Sequence, residues 1–356
     1  MKNVKYAIIG FGGIAEHRIA KEGFACDKKR FKKGLANAEL VGVTDKNPAR
    51  EKAASALGLK WYKSMEDILK DKSVDAVFIA TNNRSHAAVA KAALKAGKHC
   101  IVDKPAATTV KDAKELCALA KKNKLSLAVD HMMIYNAYNE KAKELIGKGA
   151  LGNVNDICLH MEFLYGSTPE EAKTWRCADP AEFGGPIGDV ASHCMYMAEF
   201  LFDSKIKSLS CVYYPKTMKI NVEDGAYIKF VMDNGVSGSV KVGFNEPRGG
   251  LGGTLSGLGY EVYGSKAALR GYATLFQLSG HDDEPVKIRL DMDDFKTVKS
   301  CDVKKIKNIY QSVIEHHAAS VLSKKPMDGL DAVHNIGLII AAHKSAQSGG
   351  KVLKVQ

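Results

Sequence analysis

At 356 residues the chain is too long for one ordinary core and suits two domains. Its 46% hydrophobic and 26% charged residues are those of a globular protein and exclude wholesale disorder. The net charge of +12 favours anionic ligands, but the excess is spread along the chain, with short runs at Asp27–Lys33 and Lys121–Lys124. No basic stripe is interleaved with aromatics, so nucleic acid is not expected as a partner.

No apolar run approaches the ~18–20 residues that span a bilayer, and the longest, Ile336–Ala342, is followed by His343 and Lys344. The opening residues Met1–Lys5 lead straight into a strand-like run without a signal-peptide layout. The eight cysteines show neither Cys-x-x-Cys nor zinc-type Cys/His spacing. Reduced thiols, no metal, no membrane and a cytoplasmic location are the expectation.

The first 130 residues alternate strand and helix signals. Tyr6–Ile9 reads as a buried strand, followed by a glycine turn and a helix from about Ile14. Leu40–Val43 is the second strand, and Asn47-Pro48 supplies a cap and first-turn proline for the helix behind it. Ser64–Asp67 resembles a capping box opening a helix through Leu69. Ala76–Ala80, Cys100–Val102 and Leu125–Val129 are further strands. The helices between them run from Ser85 to Gly97 and over Val110–Lys122. Short apolar strands separated by helices define an α/β fold with a parallel, doubly wound sheet over residues 1–130.

Residues 131–356 form a second, α+β domain. A helix over Ala137–Gly147 precedes longer strands, and Asp233-Asn234-Gly235 marks a hairpin between Ile228–Val231 and Val236–Val242. Gly249–Gly259 holds six glycines and reads as a loop. Strands at Glu261–Tyr263, Ala268–Ala273 and Val286–Leu290 complete a mainly antiparallel sheet. Helices at Tyr310–Leu322 and Leu330–Ser348 close the chain, the last packing back on the first domain.

Gly10-Phe11-Gly12-Gly13-Ile14-Ala15 is a G-x-G-x-x-A turn directly after a strand and opening a helix. The first glycine permits the tight turn, the second lets the backbone approach a pyrophosphate, and Ala15 allows close packing. The acidic residue usual about 20 residues later is displaced, because Gly23–Gly34 looks inserted. Asp45, closing the second strand, takes its place. A carboxylate there accepts from ribose hydroxyls and repels a 2′-phosphate, favouring NAD over NADP, while Lys46 works the other way. Capping the following helix is the structural alternative for Asp45.

Further along, Ala80-Thr81-Asn82-Asn83-Arg84-Ser85-His86, Val102-Asp103-Lys104-Pro105 and Gly184-Gly185-Pro186-Ile187-Gly188-Asp189-Val190-Ala191-Ser192-His193 appear in order. Asp328-Gly329-Leu330-Asp331-Ala332 opens the last helix. On these motifs the chain resembles the glucose–fructose oxidoreductase/inositol dehydrogenase (Gfo/Idh/MocA) family over almost its whole length. The resemblance implies a Rossmann domain and a C-terminal domain whose open antiparallel sheet mediates oligomerisation, here as a homodimer or homotetramer. It places Thr81, Asn82, His86 and Asp103 with the cofactor. It implies a sugar or polyol substrate, with Lys104, Asp189 and His193 catalytic.

Two departures stand out. The usual Glu-Lys-Pro is Asp103-Lys104-Pro105, and the usual glycine between Asp and His is replaced by Ala191-Ser192. Asp189 and His193 are four apart, so a helix through Leu201 shows both on one face, with Val190, Cys194, Met197 and Leu201 opposite. By resemblance His193 is the base and Asp189 orients it or binds a neighbouring hydroxyl, while Lys104 stabilises charge on the reacting oxygen. The structural alternative has Asp189 capping and His193 in the core. His131 is expected at the nicotinamide end. Trp175-Arg176 offers a stacking face and a binding fork, or else packing and a surface ion pair. His316-His317 reads as surface. Two other functions fit the family: redox-neutral glycoside cleavage with tightly held NAD, and a non-catalytic nucleotide-binding regulator.

Overall fold

The computed structural model describes residues 3–246 and 258–355. The chain folds as two units, Met1–Met132 with Asn308–Val333, and Met133–Lys307 with His334–Gln356.

In the first unit the strands are β1 (Val4–Ile9), β2 (Ala38–Thr44), β3 (Lys60–Trp61), β4 (Ala76–Ile79), β5 (His99–Val102) and β6 (Leu127–Val129). They form one parallel six-stranded sheet in the order β3-β2-β1-β4-β5-β6, the dinucleotide-binding order. β4 is buried along its whole length, as expected of a strand covered on both faces. The helices after β4 and β5 span Asn83–Lys95 and Val110–Asn123. Ser64 Oγ accepts the Asp67 amide at 3.2 Å, so the cap expected there forms. The helix after β1 is π-wound from Ala15 to Gly23.

The chain returns to this unit through the helix Ile309–Leu322. Asn37 donates to the Glu315 carbonyl at 2.9 Å, and Leu127 donates to the Met327 carbonyl at 2.9 Å. Two expectations are thereby corrected. The helix Ile309–Leu322 belongs with the first unit, and of the final helix, Leu330–Gln347, only residues up to Val333 do. His317 is not surface but fully buried, its Nδ1 lying 2.7 Å from the Tyr6 hydroxyl. Burial pushes its pKa down to about 3, so it sits in the core as the neutral ring.

The second unit adds β7 (Val154–Glu162), β8 (Ile206–Tyr213), β9 (Gly225–Met232), β10 (Ser237–Gly243), β11 (Gly259–Gly264), β12 (Ala268–Tyr272), β13 (Arg289–Asp293), β14 (Val298–Ser300) and β15 (Leu353–Lys354). They make one nine-stranded sheet, antiparallel except for the β7–β10 pair. The expected hairpin is β9–β10. The strand expected at Val286–Leu290 begins at Arg289 instead, and Val286 and Ile288 join Ala273 and Leu278 in a small separate core. Residues 249–257 of the glycine-rich stretch lie outside the described residues.

Side chains alternate along β9 and β10. Ala226, Ile228, Phe230, Val240 and Val242 are buried, while Lys229, Ser239 and Lys241 face outward. The outer face is charged: Lys241 bonds Glu162 at 3.2 Å and Glu246 at 2.8 Å, and Arg270 bonds Asp293 at 2.9 Å. The helix Ser192–Phe202 packs against β7 and the helix Ala137–Gly147.

Candidate active site

The candidate residues fall into two constellations, one in each unit. In the first, Gly10, Thr81 and Lys104 follow β1, β4 and β5, so they share the carboxyl edge of the sheet, where the strand order reverses. Gly10 has φ +91°, and a Cβ there would fall 2.7 Å from the Ala80 carbonyl. Only glycine fits. At Gly12 and Gly13 a Cβ would meet nothing within 4 Å. Open backbone at the mouth of a helix is what a pyrophosphate needs, so these residues fit a dinucleotide.

A cleft of about 520 Å³ is lined by Gly10, Gly12, Asp45, Thr81 and Asn82, with Lys46, Lys63 and Ser64 at the Asp45 end. Asp45 takes the Phe11 amide on one oxygen at 2.7 Å and the Asn47 amide on the other at 2.8 Å. It is thus locked against the glycine turn and also closes the turn into Pro48. Phe11 is buried, with the Arg50 guanidinium 5.7 Å from its ring centre. Phe11, Gly13, Ile14, His86, Asp103 and Lys104 do not line this cleft.

His86, expected to touch cofactor, is fully buried behind the wall. Its ring bridges the carbonyls of Pro105 at 2.8 Å and Thr81 at 3.1 Å, tying the turn after β4 to the turn after β5. Asp103 accepts the Lys104 amide at 2.7 Å and shapes that second turn. His131 is buried and pairs with Asp331 at 2.9 Å, so the last motif's aspartate holds it in place.

Asp130 is a group the sequence reading passed over, although a carboxylate closing an apolar strand was a visible signal. It is 1% exposed, and among the described residues neither oxygen has a hydrogen-bond partner. Burial first, then the Asp103 charge, raise its pKa well above the usual carboxylate range, against the pull of Lys104. In the unfolded chain it ionises near pH 4; folded, it keeps its proton to higher pH, so stability is lost as pH rises between the two. Asp130→Asn should therefore raise the melting temperature, with a gain that grows from pH 4 towards pH 8. Thermal melts across that range check it, and a gain largest at low pH would contradict it.

In the second unit the segment Ile187–Ala191 is π-wound and runs into the helix Ser192–Phe202. That helix does not show the expected two faces. Val190, Cys194, Met197 and Leu201 are buried, but so are Asp189, His193 and Tyr196. The hydrogen bonds that hold the two candidates also differ from expectation. Arg176 Nε donates to Asp189 Oδ2 at 3.1 Å, and the guanidinium lies 4.6 Å from the Trp175 ring centre. His193 Nδ1 pairs with the Tyr196 hydroxyl at 2.8 Å, one turn further on. Arg176 therefore pairs with a buried carboxylate, while its own side chain stays partly exposed. Tyr196 went unnoticed in the sequence because tyrosine in an apolar helix reads as packing. Ser192, of the Ala191-Ser192 pair that stands where a glycine is usual, turns its hydroxyl back onto the Gly188 carbonyl at 2.9 Å.

The cleft of the first unit has the shape and backbone of a dinucleotide-binding site, and the second unit buries a His–Tyr, Arg–Asp cluster. Residues 4–131 match the oxidoreductase family with NAD-binding Rossmann fold, and residues 139–270 match the GFO/IDH/MocA C-terminal domain. The chain belongs to this GFO/IDH/MocA oxidoreductase family, and its cofactor is NAD. It is 27% identical over 220 residues to a 1,5-anhydro-D-fructose reductase of Ensifer adhaerens, covering 61% of this chain and 63% of that protein. It is 27% identical over 217 residues to an inositol 2-dehydrogenase of Salmonella typhimurium, covering 60% and 58%. Solved folds similar to it include a levoglucosan dehydrogenase in complex with NADH and levoglucosan, with TM-score 0.81, 19% identity and coverage of 99% and 100%. Another is the aldose–aldose oxidoreductase of Caulobacter crescentus, with TM-score 0.84, 20% identity and coverage of 99% and 100%. Among the described residues no helix is long and apolar enough to cross a membrane.

Proposed function

We propose that this protein moves a hydride between NAD and a hydroxyl-bearing carbon of a sugar or polyol, with Lys104, Asp189 and His193 as its working groups. One observation carries the reading: a helix buried along almost its whole length holds a histidine on a tyrosine hydroxyl, and the segment leading into it holds an aspartate gripped by arginine. Burying such polar groups costs stability that packing alone does not require. The names of relatives, a reductase of an anhydrosugar and a dehydrogenase of inositol, point to the same substrate class.

NAD, when bound, supplies nicotinamide C4 as the hydride partner. The rest falls to the chain. Gly12 and Gly13 admit the pyrophosphate, and Asp45 receives ribose hydroxyls. Lys104 donates a hydrogen bond to the reacting oxygen and stabilises negative charge there. His193 takes the hydroxyl proton, its ring held through Nδ1 by Tyr196. Asp189, fixed by Arg176, accepts from a neighbouring hydroxyl, and Trp175 offers a face for the ring. Assembly through the outer face of the second sheet, as a dimer or tetramer, belongs to the proposal. That face is charged, with Tyr227 half exposed, so it would join by ion pairs and tyrosines and not by the apolar contact a bare sheet first brings to mind.

The test is a 340 nm screen of the purified protein with NAD or NADP against polyols and sugars. Reduction of NAD by at least one compound supports the reading, whereas dinucleotide binding without reduction by any of them favours the regulator. Cofactor choice gives a sharper prediction. NAD should bind more tightly than NADP by calorimetry, and Asp45→Ser should narrow the gap, leaving Lys46 and Lys63 to receive a 2′-phosphate. Tighter NADP binding by the native protein would remove Asp45 from that role.

A further inference from the structure

The turn that delivers Asp189 and His193 is built around a carboxylate with no part in the chemistry described so far. Glu223 lies two residues before β9, and its Oε1 accepts the amide of Ile187, the first residue of the π-wound segment, at 2.8 Å. Gly185 has φ +88°, and a Cβ there would fall 2.5 Å from each Glu223 oxygen. The carboxylate thus occupies the space that a side chain at 185 would fill. On the other side of the same turn, a Cβ on Gly184 would meet the Trp175 carbonyl at 2.7 Å. The Gly-Gly-Pro turn is pinned between the Trp175 segment and Glu223.

We propose that Glu223 is a positioning residue for Asp189 and His193, acting through the Ile187 amide: its carboxylate clamps the start of the segment, and the clamp slackens when the carboxylate gains a proton. The inference rests on the roles proposed for Asp189 and His193.

Burial raises the Glu223 carboxyl to about 7, against the pull of the Ile187 amide, its own amide and Lys216, with Asp224 adding to the rise. The charged and titratable groups around it are Lys216 and Asp224 on its own loop and Cys211 and Tyr213 on β8. Asp189 lies on the segment it holds. A charge-assisted bond is roughly twice as strong as a neutral one, so the ionised form is the better clamp. Activity should fall as pH drops through about 7, and Glu223 supplies a cause separate from protonation of His193.

The experiment compares the full-length native protein with Glu223→Gln and Glu223→Asp, each checked by circular dichroism. Amide hydrogen exchange of the peptide covering residues 184–193 is followed at about pH 6 and about pH 8, on either side of the Glu223 titration, and corrected for intrinsic rates. Native protection should fall several-fold at the lower pH, whereas Glu223→Gln, which can accept the amide but cannot titrate, should protect equally at both. In kcat the inflection near 7 should persist at reduced rate in His193→Ala and vanish when Glu223→Gln is added to that variant, with NAD affinity unchanged. Glu223→Asp, too short to reach, should lower kcat and protection at both pH values, and it carries the test if the glutamine variant does not fold. Native-like pH dependence of protection in Glu223→Gln overturns the proposal. If the native protein reduces no NAD, the exchange data still decide the clamp, and the failure belongs to the oxidoreductase reading alone.

Discussion

His193→Ala should lower kcat by ~10²–10⁴, the usual worth of a positioned base, while NAD affinity stays at the native value. The dissociation follows from where the residues lie. Every side chain and glycine of the NAD cleft belongs to the first unit, and His193 to the second, 1% exposed and bonded to Tyr196. Losing the imidazole also removes the His193–Tyr196 hydrogen bond and opens a buried space, so melting temperatures must accompany the rates. Lys104→Ala should lower kcat by a comparable ~10²–10³, as expected on removing a group that stabilises an oxyanion. It lies in the first unit at the end of β5, so a modest loss of NAD affinity should accompany it. Stopped-flow rates beside fluorescence titration with NAD check both. Near-native turnover in His193→Ala would return the residue to packing and leave Asp189 as the base.

The second large effect separates binding from folding within a single motif. Gly12→Val should abolish measurable NAD binding, a loss of roughly 100-fold or more at 1.4 kcal/mol per tenfold, yet melt near the native temperature. A Cβ at Gly12 meets no protein atom within 4 Å, so the branched side chain projects into the space a pyrophosphate needs. Gly10→Ala is the contrast. Its Cβ would collide with the Ala80 carbonyl at 2.7 Å from a left-handed backbone, so it should destabilise the first unit itself. Calorimetric titration and thermal melts of the two variants make the comparison. Equal NAD binding by Gly12→Val and the native protein would move the cofactor elsewhere.

Much of the first unit was legible because its parallel strands are buried on both faces, so Ala76–Ile79 and Cys100–Val102 stand out as short apolar runs. Local chemistry also served. Asn136 and Gly147 bound the helix Ala137–Gly147 at the residues expected, and the Asn136 side chain caps the Tyr138 amide at 2.9 Å. What stayed hidden was set by tertiary contact. His317 looks like a surface histidine until Tyr6, 311 positions away, supplies its partner. β13 carries Asp291 and Asp293, which are matched by Arg289, Ser300 and Arg270, so the polar half of that region is the strand and the apolar half the loop. The same limit governed the site. Lys104, Asp189 and His193 were singled out through motifs. Tyr196, Glu223 and Asp130 have no motif, and their importance shows only in what they touch or fail to touch.

Hydride transfer itself is the central claim, and an isotope reads it most directly. The protein is incubated with NAD and perdeuterated glucose, inositol or glycerol, and the dinucleotide is analysed by mass spectrometry and NMR. Deuterium at C4 of reduced nicotinamide from at least one of these compounds, lost in both Lys104→Ala and His193→Ala, is the expected result. NAD recovered oxidised and unlabelled from all three, by a protein that binds it, would contradict the assignment.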